Sequence, residues 1–217
     1  MRALIVLGAG GLARETAELA AATGRWRVGE VLDDDPAQHG RAVGGAHVSG
    51  GSARLAELLA TDPDSRLVLC LGSPRRPALR LQVARRLGVP DQRYATLVHP
   101  AATVGGARSI GAGSVLLAGV VATADVVVGA HCVLMPGVVL THDDELDDGV
   151  TLAAGVRLAG GVRVGEGAYL GSGALVREGV VIGAGAVVGM GAVVLGDVPP
   201  AEVWVGQPAR RLRDTGS

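Results

Sequence analysis

The chain has 217 residues, 48% of them hydrophobic, enough to bury a sizeable core as one large domain or two small ones. A net charge of −1 leaves no electrostatic footprint for nucleic acid or an anionic membrane surface. All 20 basic side chains are Arg and Asn is missing, which excludes a Schiff-base lysine, a P-loop lysine and an N-glycosylation acceptor.

At the N-terminus, Met1-Arg2 leads into a short apolar run, Ala3 to Leu7, that ends in glycines rather than a secretory cleavage site. This run is predicted to be a strand, followed by the turn Gly8-Ala9-Gly10-Gly11 and an Ala/Leu-rich helix from Leu12 to about Thr23. Val28 to Leu32 is a second predicted strand, closed by Asp33-Asp34-Asp35. Ser52 to Ala60 is predicted helical, Leu67 to Leu71 a third strand, and Leu79 to Leu87 another helix. The alternation predicts a small, Rossmann-like parallel α/β domain over residues 1–97. Two cysteines, Cys70 and Cys132, are too few for a disulfide framework and fit a reducing, cytoplasmic setting.

The glycine turn would present backbone N–H groups at a helix start, where they can receive an anion. The acidic cluster at Asp33-Asp34 follows at a distance suited to bonding a ribose. Gly8-x-Gly10-x-x-Ala13 also nearly matches the dinucleotide fingerprint, so that reading stays open, although three strands make only about half of a dinucleotide fold.

From Val98 the grammar changes. Stepping by six through Val104, Ile110, Leu116 and onward to Val194, sixteen of the seventeen positions are Val, Ile or Leu. Three residues after each, eleven of the seventeen are Gly. Such a period fits neither a helix nor a plain alternating strand. It fits short strands joined by corners, with glycines where positive φ is needed, and predicts a parallel β-helix over 98–198 with a tail at 199–217. The uncharged stretch Gly179 to Gly196 is long enough to raise a membrane span, but it keeps the hexad phase, so no membrane contact is expected.

Hexads such as Ile182-Gly183-Ala184-Gly185-Ala186-Val187, and Gly206-Gln207-Pro208-Ala209-Arg210 after the last coil, resemble the hexapeptide-repeat acyltransferases, whose fold is a left-handed parallel β-helix. The glycine turn, the Asp33-Asp34 pair, Leu71-Gly72 and Leu97-Val98-His99-Pro100 extend the resemblance. They are similar to the sugar acetyltransferases of the bacillosamine N-acetyltransferase and sialic acid O-acetyltransferase type. That resemblance implies acetyl-CoA as cosubstrate, no metal, and an acceptor held by the front domain as a nucleotide-linked or free amino sugar. Gly10, Gly11, Leu12, Asp33, Asp34 and Gly72 would be its contacts. It also implies a homotrimer with a coenzyme groove between chains, and the flat outer faces of a β-helix suit such packing.

Acyl transfer needs a base for the incoming amine or hydroxyl and donors for the oxyanion. His39 and His47 read as loop residues, His99 as a structural contact, and His131 as a corner residue that tolerates positive φ. His142 stands in a glycine-free hexad, Leu140-Thr141-His142-Asp143-Asp144-Glu145, that interrupts an otherwise apolar surface with polar groups, and is the candidate base. Asp143 matches the family's acid after the histidine and would orient the imidazole. Asp144 falls in a slot elsewhere filled by small apolar residues, so it is expected to turn outward or pair with His142. If three hexads make a coil, as in the family, Gly160 lies above His142 with Gly161 beside it. Thr151, Ser172 and Met190 would then face the coenzyme.

The chain departs from the family at Leu12, where a histidine is frequent, at Met135, where an Asn is frequent, and at Ser73-Pro74. Two other readings remain: a non-catalytic trimeric nucleotide-binding scaffold, and a zinc carbonic anhydrase, which would need three converging histidines.

Overall fold

A computed structural model describes residues 1–216. Its front part is an open sheet with two strands more than the sequence pattern predicts. The strands β1 (Arg2–Leu7), β2 (Trp26–Leu32), β3 (Ala42–Val43), β4 (Ala46–Gly50) and β5 (Arg66–Leu69) lie in the order β3-β4-β2-β1-β5. The pairs β1–β2, β1–β5 and β2–β4 are parallel, while β3–β4 is antiparallel. β3 and β4 are short and separated only by Gly44-Gly45, both at positive φ, so no apolar run announces them. The third predicted strand ends at Leu69 rather than Leu71.

Helix α1 (Gly11–Thr23) buries Ala13, Thr16, Ala17, Leu19 and Ala20, and stops at Gly24, whose left-handed φ of 63° a residue with a Cβ would resist. The helix predicted from Ser52 splits into a 3₁₀ turn, Ser52–Arg54, and α2 (Leu55–Thr61). α3 runs over Leu79–Leu87, as predicted.

Beyond the front sheet the hexads build a prism of three parallel sheets, a left-handed β-helix. The first face stacks Leu97–Val98, Val115–Leu116, Val133–Leu134, Thr151–Leu152, Tyr169–Leu170 and Val187–Val188, and is extended by the terminal hairpin Glu202–Gly206 and Ala209–Asp214. The second face runs from Val121–Ala122 to Val193–Val194, and the third from Ala107–Ile110 to Val181–Ile182. Paired residues such as Val133 and Thr151, or Leu140 and Leu158, lie three hexads apart. The hexad Val, Ile and Leu residues point inward: Leu134, Leu140, Leu152, Leu170, Val188 and Val194 are all fully buried. Corner glycines from Gly113 to Gly191 take positive φ, and Asp125, His131 and Asp143 take it where the glycine is replaced.

The front domain sits on the first face. Leu97, Val115, Leu117 and Val133 share one apolar core with Leu4, Val6, Ala17 and Val31. Arg80 of α3 spans the junction, almost wholly buried. Its Nε donates to His131 O at 2.6 Å, one terminal nitrogen to Leu71 O at 2.8 Å, and the other to Gly149 O, Val150 O and Thr151 Oγ1. Burial pulls the guanidinium down to about 10.

Candidate active site

His142 lies on the edge between the second and third faces, in the turn after Val139–Leu140. Asp143, at φ 62°, holds the corner slot and donates its amide to Ala124 O below. The His142 carbonyl accepts from Gly161 N above at 2.9 Å. The imidazole Nδ1 is 2.8 Å from Asp143 Oδ2, and both side chains are exposed in the single chain. An ionised carboxylate only accepts, so in the neutral imidazole the proton sits on Nδ1 and Nε2 keeps its lone pair. A Cβ on Gly160 would come within 2.3 Å of His142 Cε1 and Nε2. The ring therefore occupies space that only a glycine leaves free.

Asp144 neither turns outward nor meets His142. Its carboxylate points into the coil, fully buried, where Oδ2 accepts from Thr141 N at 2.8 Å and Oδ1 from Val162 N at 2.9 Å. Two amide donors satisfy a charge that would otherwise be costly there, yet burial still raises its pKa to about 6.

The remaining histidines lie away from His142. His131 is buried on the edge between the third and first faces, its ring edge-on to Tyr94 at 4.5 Å. Burial, then the Arg80 charge, hold its pKa down. His99 Nδ1 accepts from Ala101 N, and His39 Nε2 is 3.0 Å from Asp33 O. Within one chain His131 and His142 do not converge. Among the described residues no group of three His, Cys, Asp or Glu side chains could hold a metal ion.

The glycine turn follows β1, at the C-terminal edge of the sheet. Gly8 is required internally: its φ is 102°, and a Cβ would meet Cys70 O at 2.7 Å. Gly10 has open space where a Cβ would stand, and Gly11 nearly so, so no internal contact demands glycine at either. Asp33 Oδ2 accepts from Ala9 N and its Oδ1 from Asp35 N, which places one carboxylate against the turn. Asp34 accepts from both the amide and hydroxyl of Ser52, and the amide bond is the larger cause of its lowered pKa. Gly72 follows Leu71 over Arg80, its missing Cβ 3.4 Å from that guanidinium. Leu12 and Met135 both pack on the core that the front domain shares with the first face.

The four residues expected to face the coenzyme separate. Gly160 lines the His142 edge. Ser172 and Met190 are exposed on the edge between the first and second faces. Thr151 does not face a groove at all: it is buried, its hydroxyl accepting from Arg80 under α3. The first face at that level is covered by the front domain. Arg80 itself was missed, although it falls in the i, i+3, i+4, i+7 stripe with Val83, Ala84 and Leu87, a cation in an apolar row.

Residues 3–87 match the family model described as the PglD N-terminal domain, and 161–196 the bacterial transferase hexapeptide (six repeats). A GDP-perosamine N-acetyltransferase from Caulobacter crescentus, solved as a histidine-to-alanine variant in complex with CoA and GDP-perosamine, is 34% identical. The alignment covers 99% of this chain and 98% of that one, with a TM-score of 0.88. The acetyltransferase domain of PglB from Neisseria gonorrhoeae, in complex with acetyl coenzyme A, is 33% identical over 97% and 99% of the two chains, with a TM-score of 0.82. WeeI from Acinetobacter baumannii, at 20% identity over 98% and 100% of the chains and a TM-score of 0.65, shares the fold. No curated protein matches the chain in sequence.

Proposed function

The chain belongs to the hexapeptide-repeat sugar acetyltransferases, and we infer that it moves the acetyl group of acetyl-CoA to the amine of a nucleotide-linked amino sugar, with His142 as general base. The observation that carries this reading is the His142–Asp143 bond beneath the side-chain-free Gly160. Asp143 holds the proton on Nδ1 and stabilises the imidazolium, so Nε2 takes the proton from the attacking amine. The amine nitrogen bonds to the thioester carbonyl, and the Gly160 N–H is the donor for the resulting oxyanion. Collapse breaks the C–S bond, and the proton on Nε2 passes to the departing thiolate.

In this reading the acceptor's phosphates approach the open Gly10-Gly11 turn, and Asp33 and Asp34 receive ribose or base donors. Leu12 and Met135 put apolar surface where relatives have His and Asn, which favours a deoxy or methyl-bearing amino sugar. The relative that holds GDP-perosamine carries a sugar of this amine-bearing class. The His142 edge lies opposite the first face, on which the front domain sits. A homotrimer that brings the His142–Gly160 edge of one protomer to the Ser172–Met190 edge and glycine turn of the next would complete the site. It would also cover the exposed His142–Asp143 pair and strengthen it.

The test follows thiol release from acetyl-CoA over GDP-perosamine, UDP-linked 4-amino-6-deoxy sugars and free amino sugars. His142→Ala should lower kcat by about two to four orders of magnitude, the contribution of a positioned base, with acetyl-CoA binding kept. Activity within a few-fold of the parent would overturn the assignment.

A further inference from the structure

In the coils around the His142 edge, the residue that leaves the second face donates its amide to the coil above. Thr123 N bonds Leu140 O, Ala159 N bonds Val176 O, and Arg177 N bonds Val194 O. At Thr141 this step is rewired. Its amide turns to Asp144 Oδ2, and its hydroxyl donates to Leu158 O instead, at 3.1 Å. Val162, whose counterpart Val180 donates back to Arg177 O, gives its amide to Asp144 Oδ1. One carboxylate thus stands between the turn that carries His142 and the turn that carries Gly160. The slot holds Val126, Val162, Val180 and Val198 in the coils on either side, with Arg108 in the first coil of this column, so the prism does not need an acid there.

We propose that Asp144 is a positioning residue for acyl transfer: by receiving the amides of Thr141 and Val162 it sets the offset between the His142–Asp143 turn and the Gly160–Gly161 turn. The proposal rests on His142 being the base. Asp144 touches neither substrate; it acts through the backbone on both sides of the reacting centre. With valine in its place, Thr141 N can return to Leu158 O, as in the neighbouring coils, and Val162 N to Ala159 O, as Val180 N does to Arg177 O. The regular ladder closes, and the two turns take the register of an ordinary corner. A buried charge is also removed, which well-packed apolar replacements tolerate.

The test compares the parent with Asp144→Val, Asp144→Asn, His142→Ala and the double variant His142→Ala/Asp144→Val, using acetyl-CoA and the fastest acceptor of the panel above. Asp144→Val should keep or raise Tm and change both KM values less than about twofold, while kcat falls about 10- to 100-fold, the size of an ångström-scale misplacement. Asp144→Asn, which keeps one acceptor oxygen, should fall between. The double variant should fall below His142→Ala by a smaller factor than Asp144→Val falls below the parent, because one of the two positioned groups is already gone. Full kcat in Asp144→Val overturns the proposal. So does a double variant that loses the full Asp144→Val factor on top of His142→Ala, or a kcat loss that only follows a lowered Tm. If Asp144→Val fails to fold, full kcat in Asp144→Asn overturns it equally. Should His142→Ala itself keep activity, the base assignment fails, whatever Asp144 does.

Discussion

Gly160→Ala tests the geometry of the proposed base more sharply than removal of the imidazole, because it adds one methyl and leaves the imidazole in place. The new Cβ would stand 2.3 Å from His142 Cε1 and Nε2. Non-bonded carbon contacts settle near ~3.5 Å, so the ring must retreat by about 1 Å. It is exposed and free to do so, and the prism should therefore fold as before. The Gly160 φ is not left-handed, so alanine brings no backbone strain. The retreat stretches the 2.8 Å bond from Nδ1 to Asp143 and carries Nε2 off the line to the amine. A misplacement of this size costs about 100-fold in rate. Thiol release from acetyl-CoA under saturating acceptor should show kcat lower by that factor, with Tm within about two degrees of the parent. A Gly160→Ala enzyme within threefold of the parent rate would mean that the acyl group does not meet His142 from the Gly160 side.

Asp33→Ala should raise the acceptor KM severalfold and leave the KM for acetyl-CoA unchanged, since the carboxylate bonds the glycine turn and the Asp35 amide, both in the front domain; a rise confined to acetyl-CoA would reverse the division of labour. The folded-state pKa of Asp144, about 6, lies above its ordinary 3.8. Its stability contribution is therefore fully present below about pH 4 and lost as pH rises through 6. Urea titrations at fixed protein concentration should find Asp144→Val gaining up to about 3 kcal/mol on the parent between pH 4 and pH 7, and a pH-independent difference would contradict this. Co-expressing His142→Ala with Gly10→Trp, whose Cβ would meet no internal contact, should restore about a quarter of parent activity to mixed trimers if each site draws on two chains. No restoration would place the whole site within one chain.

The hexad phase carried most of the fold because each slot has one physical task. Inward slots need Val, Ile or Leu, and corner slots need positive φ, so the corner placement of His131 and Asp143 could be read directly from position. The stacking of Gly160 over His142 followed from the same count once the family resemblance supplied three hexads per coil. What the period does not encode is which outer face another domain covers. Thr151 stands in an outward slot, which the pattern assigns to a groove, but α3 and Arg80 lie on it. Asp144 was misplaced for a related reason. Hydropathy assigns a carboxylate to the outside, whereas two amides left over by a rewired corner can hold it inside. In the front domain, β3 and β4 contribute few apolar residues and depend on pairing with β2, so they exist through tertiary contact rather than local pattern.

The same geometry explains why a glycine turn and a histidine, both legible in sequence, could not be joined into a site by sequence alone. A triangular prism has an edge opposite each face. The shared core of Leu97, Val115, Leu117 and Val133 commits the first face to the front domain, and that commitment leaves the His142 edge as the one farthest from the domain. The two halves of the proposed site are thus held apart by the shape of the coil, whatever loops connect them. Rotating the front domain to reach His142 would expose that core and strip Arg80 of its contacts with His131 O, Gly149 O and Thr151. At roughly 25 cal/mol per Å² of apolar surface, such exposure costs several kcal/mol before the unpaired guanidinium is counted. Bringing a second prism edge to the first domain requires no such opening, which makes assembly between chains the cheaper way to close the active site.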